Sequence, residues 1–284
     1  MTKLIAVIDG SAYSASVCEH AAWVANLAGS EVEVVHVLGS PGSKVEASNL
    51  SGSIGLGARS ALLSELAELD AQKARLSQQR CRAILIDAET LLTERGVSKV
   101  HTKLRNGEIV ETVHDLETDA DLIVIGKRGE AADFDSMHLG SKVERVIRSS
   151  SKPVLVASRG FHTPTKVLLA FDGGPSSLKA VNFFASREHY NSFPCHLLSV
   201  GNDSTNDRRQ LEGAMATLKG GGYQVTAESL PGQPETVISA KVESEGFDLV
   251  IMGAYGHSRI RNLIIGSTTT EMIRSCKVPV LLFR

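Results

Sequence analysis

Short apolar runs that stop at a glycine set the rhythm of this chain. Residues 4–8 end at Asp9-Gly10, and residues 167–171 end at Asp172-Gly173. Residues 122–125 end at Gly126, and residues 249–252 end at Gly253. Runs this short, apolar throughout, predict strands buried on both faces of a parallel sheet. Between them, segments 16–28, 108–118, 176–187, 235–245 and 269–275 predict helices. Alternation of the two predicts an α/β fold with helices on both sheet faces.

The pattern occurs twice. LIAVIDGSAYS near the start matches VLLAFDGGPSS at residues 167–177. A second strand follows in each copy, at 31–39 and at 195–201, then a third at 99–104 and at 223–230. ADLIVIGKRG matches FDLVIMGAYG, and LGSKVERVIRSSSKPVLVAS matches IGSTTTEMIRSCKVPVLLFR. The last strands, 154–157 and 280–283, sit just after Pro153 and Pro279, where proline is tolerated. The repeat predicts two tandem open five-stranded parallel-sheet domains, 1–158 and 165–284, joined near Gly160 and Pro164.

One region breaks the match. Residues 40–95 read as an insertion in the first copy. Its front is rich in Gly and Ser and predicts a mobile loop. From Ser60 on, Leu62, Leu63, Leu66 and Leu69 recur at helical spacing. A helical pair packed on its own domain is the expectation, with a lid or a partner-binding helix as the alternative.

Composition narrows the classes. The chain has 284 residues, 42% hydrophobic and 22% charged, with a net charge of −2. No basic block points to nucleic acid. No stretch is long and apolar enough to span a bilayer, and the N-terminus reads as a first strand rather than a signal peptide. Cys18, Cys81, Cys195 and Cys276 form no CxxC pair, so neither structural zinc nor a disulfide framework is expected. A cytoplasmic location is the default expectation.

The candidate chemistry lies in the glycines. After Gly253 come Gly256 and then Gly266-Ser267-Thr268, followed by a helix. Glycines at a strand exit let backbone approach a ligand. Gly-Ser-Thr at a helix start offers free amides, hydroxyls and the positive end of the helix dipole, which suit phosphate. An ordinary capped helix explains the same residues. The chain has neither G-x-x-x-x-G-K-[ST] nor G-x-G-x-x-G, so the two common phosphate fingerprints are absent.

Strand-Asp-Gly followed by G-x-x-G-x9-G-[ST] resembles the universal stress protein family, in its tandem two-domain form. The resemblance covers the chain apart from 40–95. It implies an adenine nucleotide α-hydrolase-like, Rossmann-like fold, packed as a pseudo-dimer through strands 154–157 and 280–283. It also implies ATP, or AMP or ADP, held at the carboxyl ends of the strands, with Mg as an optional companion. Carried over, Asp172 meets the adenosine end and Val200 the adenine edge. Met252 and Gly253 line the ribose, while Gly256, Gly266, Ser267 and Thr268 hold phosphates. The first-half counterparts are Asp9, Val37, Gly126, Gly129, Gly140 and Ser141.

The first half departs from this pattern. Ten residues, not nine, separate Gly129 from Gly140, and Lys142 replaces Thr268. Its spacer carries Glu130, Asp133 and Asp135, each repelling phosphate by about a kcal/mol. Lys142, Lys127 and Arg128 are set against them. The second half therefore ranks above the first. Asp9 and Asp172 have a structural reading as caps, but their recurrence at one place favours a ligand. His36 reads as a buried, satisfied histidine. His257, Arg259 and Arg261 sit in the second glycine loop, where an exposed position explains them as well as a phosphate does. Glu271 is the nearest carboxylate to the second turn and also fits a capping box.

The function expected is nucleotide-dependent regulation in stress response, with at most slow ATP hydrolysis. A slow ATPase or adenylate-forming enzyme is one alternative. The other is a scaffold with vestigial sites. A further homodimer is left open.

Overall fold

The computed structural model describes residues 3–39, 56–129, 140–201, 204–254 and 267–284. The first half runs β1 (Lys3–Ile8), α1 (Ser14–Ala28), β2 (Glu31–Leu38), α2 (Leu56–Glu94), β3 (Val100–Asn106), α3 (Ile109–Glu117), β4 (Leu122–Gly126), α4 (Ser141–Ser149) and β5 (Val154–Ala157). The second half repeats the order as β6 (Val167–Ala170), α5 (Pro175–Ala185), β7 (Cys195–Val200), α6 (Thr205–Gly220), β8 (Val225–Leu230), α7 (Pro234–Glu245), β9 (Leu249–Gly253), α8 (Ser267–Ser275) and β10 (Val280–Phe283).

Among the described residues, all the strands join one ten-stranded sheet in the order β3-β2-β1-β4-β5-β10-β9-β6-β7-β8. Every neighbouring pair is parallel except β5 and β10, which meet antiparallel with Leu281 opposite Leu155. Each half is thus an open five-stranded parallel sheet, and the last strands join the two. Parallel pairing demands crossover connections, which places helices on both faces.

The strands explain their own burial. Leu4, Ala6 and Ile8 of β1 face one layer, while Ile5 and Val7 face the other. One apolar layer gathers α1, α2, α5 and α6. The opposite layer gathers α3, α4, α7 and α8. Both layers run through both halves, so the junction is core rather than a wet contact. Trp23 and Phe193 meet across it, with ring centroids 5.9 Å apart. The connecting segment is anchored as well. Ser16 Oγ donates to the Ser158 carbonyl at 2.8 Å, and His20 packs edge-on to Phe161.

The segment from 40 to 95 corrects the sequence reading. Its helical part is one helix of 39 residues, not a pair. At 1.5 Å per residue α2 is about 58 Å long. It occupies the crossover between the second and third strands, as α6 does in the other half. It is therefore a lengthened standard element. The sequence reading named no helix at 205–220, although the cues are there. Ser204 and Asp207 form a reciprocal capping box, and Leu211, Ala214 and Leu218 are buried at helical spacing. Among the described side chains of α2, the buried ones lie in its last half: Cys81, Leu85, Ala88 and Leu92. The Gly/Ser-rich front, residues 40–55, lies outside the described residues.

Candidate functional site

A cavity of about 960 Å³ opens at the carboxyl ends of β1, β2 and β4. That is near the upper end for small-molecule sites. Asp9, Val37, Gly126, Gly129 and Gly140 all line it. Five first-half candidates, 131 residues apart at the extremes, thus converge on one space. Ser141 begins α4 beside them, and its side chain lies outside the described ones.

Local chemistry shapes each wall. Gly10 has φ +79°, which turns the chain out of β1. Ser11 N donates to Asp9 Oδ1 at 3.0 Å, and Gly10 N donates to Ser14 Oγ at 2.9 Å. The carboxylate thus closes its own turn through one oxygen. Its other oxygen faces Gly129, where a Cβ would stand 2.7 Å from Asp9 Oδ2. Gly126 has a similar reason to be glycine. A Cβ there would lie 2.8 Å from Tyr13 Cβ. The two glycines of the motif therefore let α1 and the Asp9 turn close on β4, whatever else they do. At Gly140 a Cβ would meet nothing nearer than Val143 Cγ2 at 3.5 Å. Gly140 precedes the first turn of α4, whose amides and dipole favour an anion.

Arg80, Arg128 and Lys142 stand against Asp9 and Glu108. Glu108 also lies 3.6 Å from Arg145, which offsets its charge. Glu130, Asp133 and Asp135, the expected repulsive carboxylates, lie outside the described residues. Lys127 was set against them, and here the structure differs. Its ammonium donates to the Cys276 carbonyl just beyond α8, at 2.9 Å. Burial, with the Arg128 charge beside it, pushes the Lys127 pKa down to about 8. Lys127 thus joins the halves. His36 is buried, as expected, and also lines the cavity.

Two contributors escaped the sequence reading. Tyr13 forms part of the floor. The packed half of α2 supplies a side wall through Ser77, Arg80, Cys81 and Ile84. Ile84 lies directly over the Asp-Gly turn, since a Cβ on Gly10 would sit 2.5 Å from its Cδ1. Gln210 of α6 does the same in the other half, 2.0 Å from a Cβ on Gly173. Both crossover helices roof the turn, and only a three-dimensional crossover brings them there.

The second half repeats the turn. Gly173 has φ +71°. Gly174 N donates to Asp172 Oδ1 at 2.9 Å, and Ser177 Oγ donates to the same oxygen at 2.6 Å. Gly253 lets α5 approach, because a Cβ would lie 3.0 Å from both Ser176 Cβ and Ser177 N. Val200 is half-buried at the end of β7. Met252 is buried in the apolar layer that holds Met272 and Ile273. Gly256 and Gly266, with His257, Arg259 and Arg261, lie outside the described residues. Ser267 and Thr268 open α8, and their side chains lie outside the described ones too. Glu271 pairs with Arg274 at 2.5 Å, and the capping box considered for it falls on side chains outside the described ones. Among the described residues no three His, Cys, Asp or Glu gather as a metal site. No helix among them is long and apolar enough to cross a membrane.

Comparison with known proteins places this geometry. The model of the universal stress protein family matches residues 1–158 and 201–284. The universal stress protein Slr1230 of Synechocystis is 39% identical over 287 residues, covering 100% of both chains. The crystal structure of a universal stress protein from Archaeoglobus fulgidus covers 99% of this chain and 96% of its own, with a TM-score of 0.70 at 20% identity. A universal stress protein solved in complex with cAMP covers 43% of this chain and 97% of its own, with a TM-score of 0.37 at 21% identity.

Proposed function

This chain belongs to the universal stress protein family, and on that premise we propose that it is an adenine-nucleotide-binding regulator of stress response, with ATP as the ligand. The observation that carries the reading is the 960 Å³ cavity in which Asp9, Val37, Gly126, Gly129 and Gly140 converge. Its size suits a nucleotide, its mouth lies at strand ends where open α/β sheets take ligands, and its charged lining favours an anion. The domains are 1–158 and 165–284, each with one candidate site.

In the first half Asp9 serves the adenosine end and the Val37 backbone the base edge. Gly126 flanks the sugar, and Gly129, Gly140, Ser141 and the amides of α4 hold phosphates. Lys142 and Arg128 neutralise charge. In the second half Asp172, Val200, Met252, Gly253, Gly256, Gly266, Ser267 and Thr268 take the same parts. The second half, whose motif has the nine-residue spacer and Thr268, ranks above the first. Occupancy biases partner choice or conformation only to the extent that ATP prefers one state.

Titration calorimetry of ATP against the full chain tests this. Wild type is expected to bind at both halves. Gly140→Asp leaves the fold intact, because the position is open and its φ is −58°. Its carboxylate beside the phosphates weakens the first site about tenfold or more. Gly266→Asp does the same for the second. If neither variant changes affinity or stoichiometry, these loops do not hold the nucleotide.

A further inference from the structure

The outer half of α2 carries apolar surface that the rest of the described chain does not cover. Six large hydrophobic residues are exposed among the described residues, and five of them lie on this one helix: Leu63, Leu66, Leu69, Leu76 and Ile86. Leu69 is 46% exposed and Leu76 is 65% exposed. Scattered single leucines on a surface are ordinary, but leucines concentrated on one projecting helix are not.

Their spacing is that of a helix seam. Leu66, Leu69 and Leu76 fall at intervals of three and seven residues, and Leu62, half-buried, lies four residues before Leu66. That is the a/d pattern of a helix pair, and Lys73 takes the remaining a position. The stretch runs roughly 20 Å along the axis. A helix exposing such a seam is stabilised by covering it.

The charges say what covers it. From Leu62 to Gln72 the helix carries Glu65, Glu68 and Asp70 and no base. From Lys73 to Ile86 it carries Lys73, Arg75, Arg80 and Arg82 and no acid. A surface that is acidic at one end and basic at the other complements itself when turned end for end. A twofold axis does that, and it makes an isologous interface. A parallel pair would set acid beside acid and base beside base.

We propose that the outer half of α2 is a self-association surface, on which a second copy of this chain lays the same helix antiparallel. Leu62, Leu66, Leu69 and Leu76 form the seam, and the 65–70 stretch of each copy lies beside the 73–82 stretch of the other. The edges of β5 and β10 are already paired within one chain, which leaves β3 and β8 as the outer edges of the sheet. The packed half of α2 walls the nucleotide cavity, so the interface reports directly on the helix that roofs the Asp9 turn. The proposal stands whether or not that cavity binds ATP.

Sedimentation equilibrium on the full chain, with and without ATP, is the test. Wild type is expected to be a dimer of two-domain chains. Leu69→Glu with Leu76→Glu is expected to raise the dimer dissociation constant at least about tenfold with helical circular dichroism retained. A first charge variant, Glu65→Lys with Glu68→Lys and Asp70→Lys, leaves the stretch wholly basic. A second, Lys73→Glu with Arg75→Glu, leaves it mostly acidic. Each alone is expected to dissociate, and the two mixed are expected to form a heterodimer. A cysteine at Gln72, near the axis, is expected to cross-link to itself, whereas one at Leu62 is not. A monomeric wild type overturns the proposal. So does a dimer that ignores the leucine changes, or cross-linking at Leu62 in preference to Gln72. Loss of the leucine effect when residues 40–55 are deleted would also overturn it, since it would name that segment as the occupant.

Discussion

Gly129→Ala is the sharpest probe of the first-half cavity. The added methyl would stand 2.7 Å from Asp9 Oδ2. Ordinary carbon–oxygen contact needs about 0.7 Å more, in line with van der Waals separations near 3.5 Å. The methyl cannot retreat, because it is fixed to the backbone. Asp9 must therefore swing, and its Oδ1 is tied to Ser11 N at 3.0 Å. Loosening that bond costs about 1 kcal/mol of stability at most, since the carboxylate can reach water. The cost in binding is larger if Asp9 holds the ligand. A hydrogen bond involving a charged group contributes about 1.5–3 kcal/mol, which is roughly a 10- to 150-fold change in affinity. The assay is calorimetric titration with ATP beside urea unfolding of the same samples. The expected outcome is one weakened site out of two, with the unfolding midpoint nearly unchanged. Unaltered affinity at both sites, with Asp9 shown to have moved, would refute the role given to Asp9.

Two further substitutions test the packing and the junction. Lys127→Met removes an ammonium whose pKa burial has pushed down to about 8, from 10.5 in its ordinary state. The folded state binds fewer protons than the unfolded one between those values, so wild-type stability rises as pH goes from 8 to 10.5. The effect is on the order of 1–2 kcal/mol, discounted for partial solvent access. The variant is expected to lose that rise, and unfolding curves at pH 7 and pH 10 that differ equally in both proteins would contradict it. Gly221→Ala places a methyl 2.5 Å from the Ala185 carbonyl oxygen and 2.7 Å from Ala185 Cα, although φ there is an ordinary −81°. Backbone cannot step aside as a side chain can, so thermal unfolding is expected to show a loss of about 1–3 kcal/mol. A neutral result would mean that α5 and α6 separate freely.

Much of the frame is legible in the residues alone. Apolar runs at every position, closed by Asp9-Gly10 and Asp172-Gly173, announce buried parallel strands, because burial on two faces leaves no polar phase in the pattern. β5 and β10 were read at their observed bounds, since a proline marks each start. The repeat itself predicts two five-stranded units, which the fold joins into one ten-stranded sheet. α6 was missed, although Ser204, Asp207 and the Leu211–Leu218 spacing record it, because no counterpart of matching length stands in the first half.

Three things needed the tertiary structure, and they share a cause. A residue's own pattern records whether it is buried, not what it is buried against. Gly126 and Gly129 look like ligand glycines in sequence, and only the folded chain shows Tyr13 and Asp9 pressed against them. Lys127 sits two residues from Gly129, yet its long side chain crosses to the Cys276 carbonyl of the other half. The leucines of α2 look like core, but Leu63, Leu66, Leu69 and Leu76 are exposed, and the face that packs inward is carried by Cys81, Leu85, Ala88 and Leu92. Spacing along the chain specified the elements. Where each crossover helix lies, and which of its faces packs inward, was decided by the three-dimensional closure of the fold.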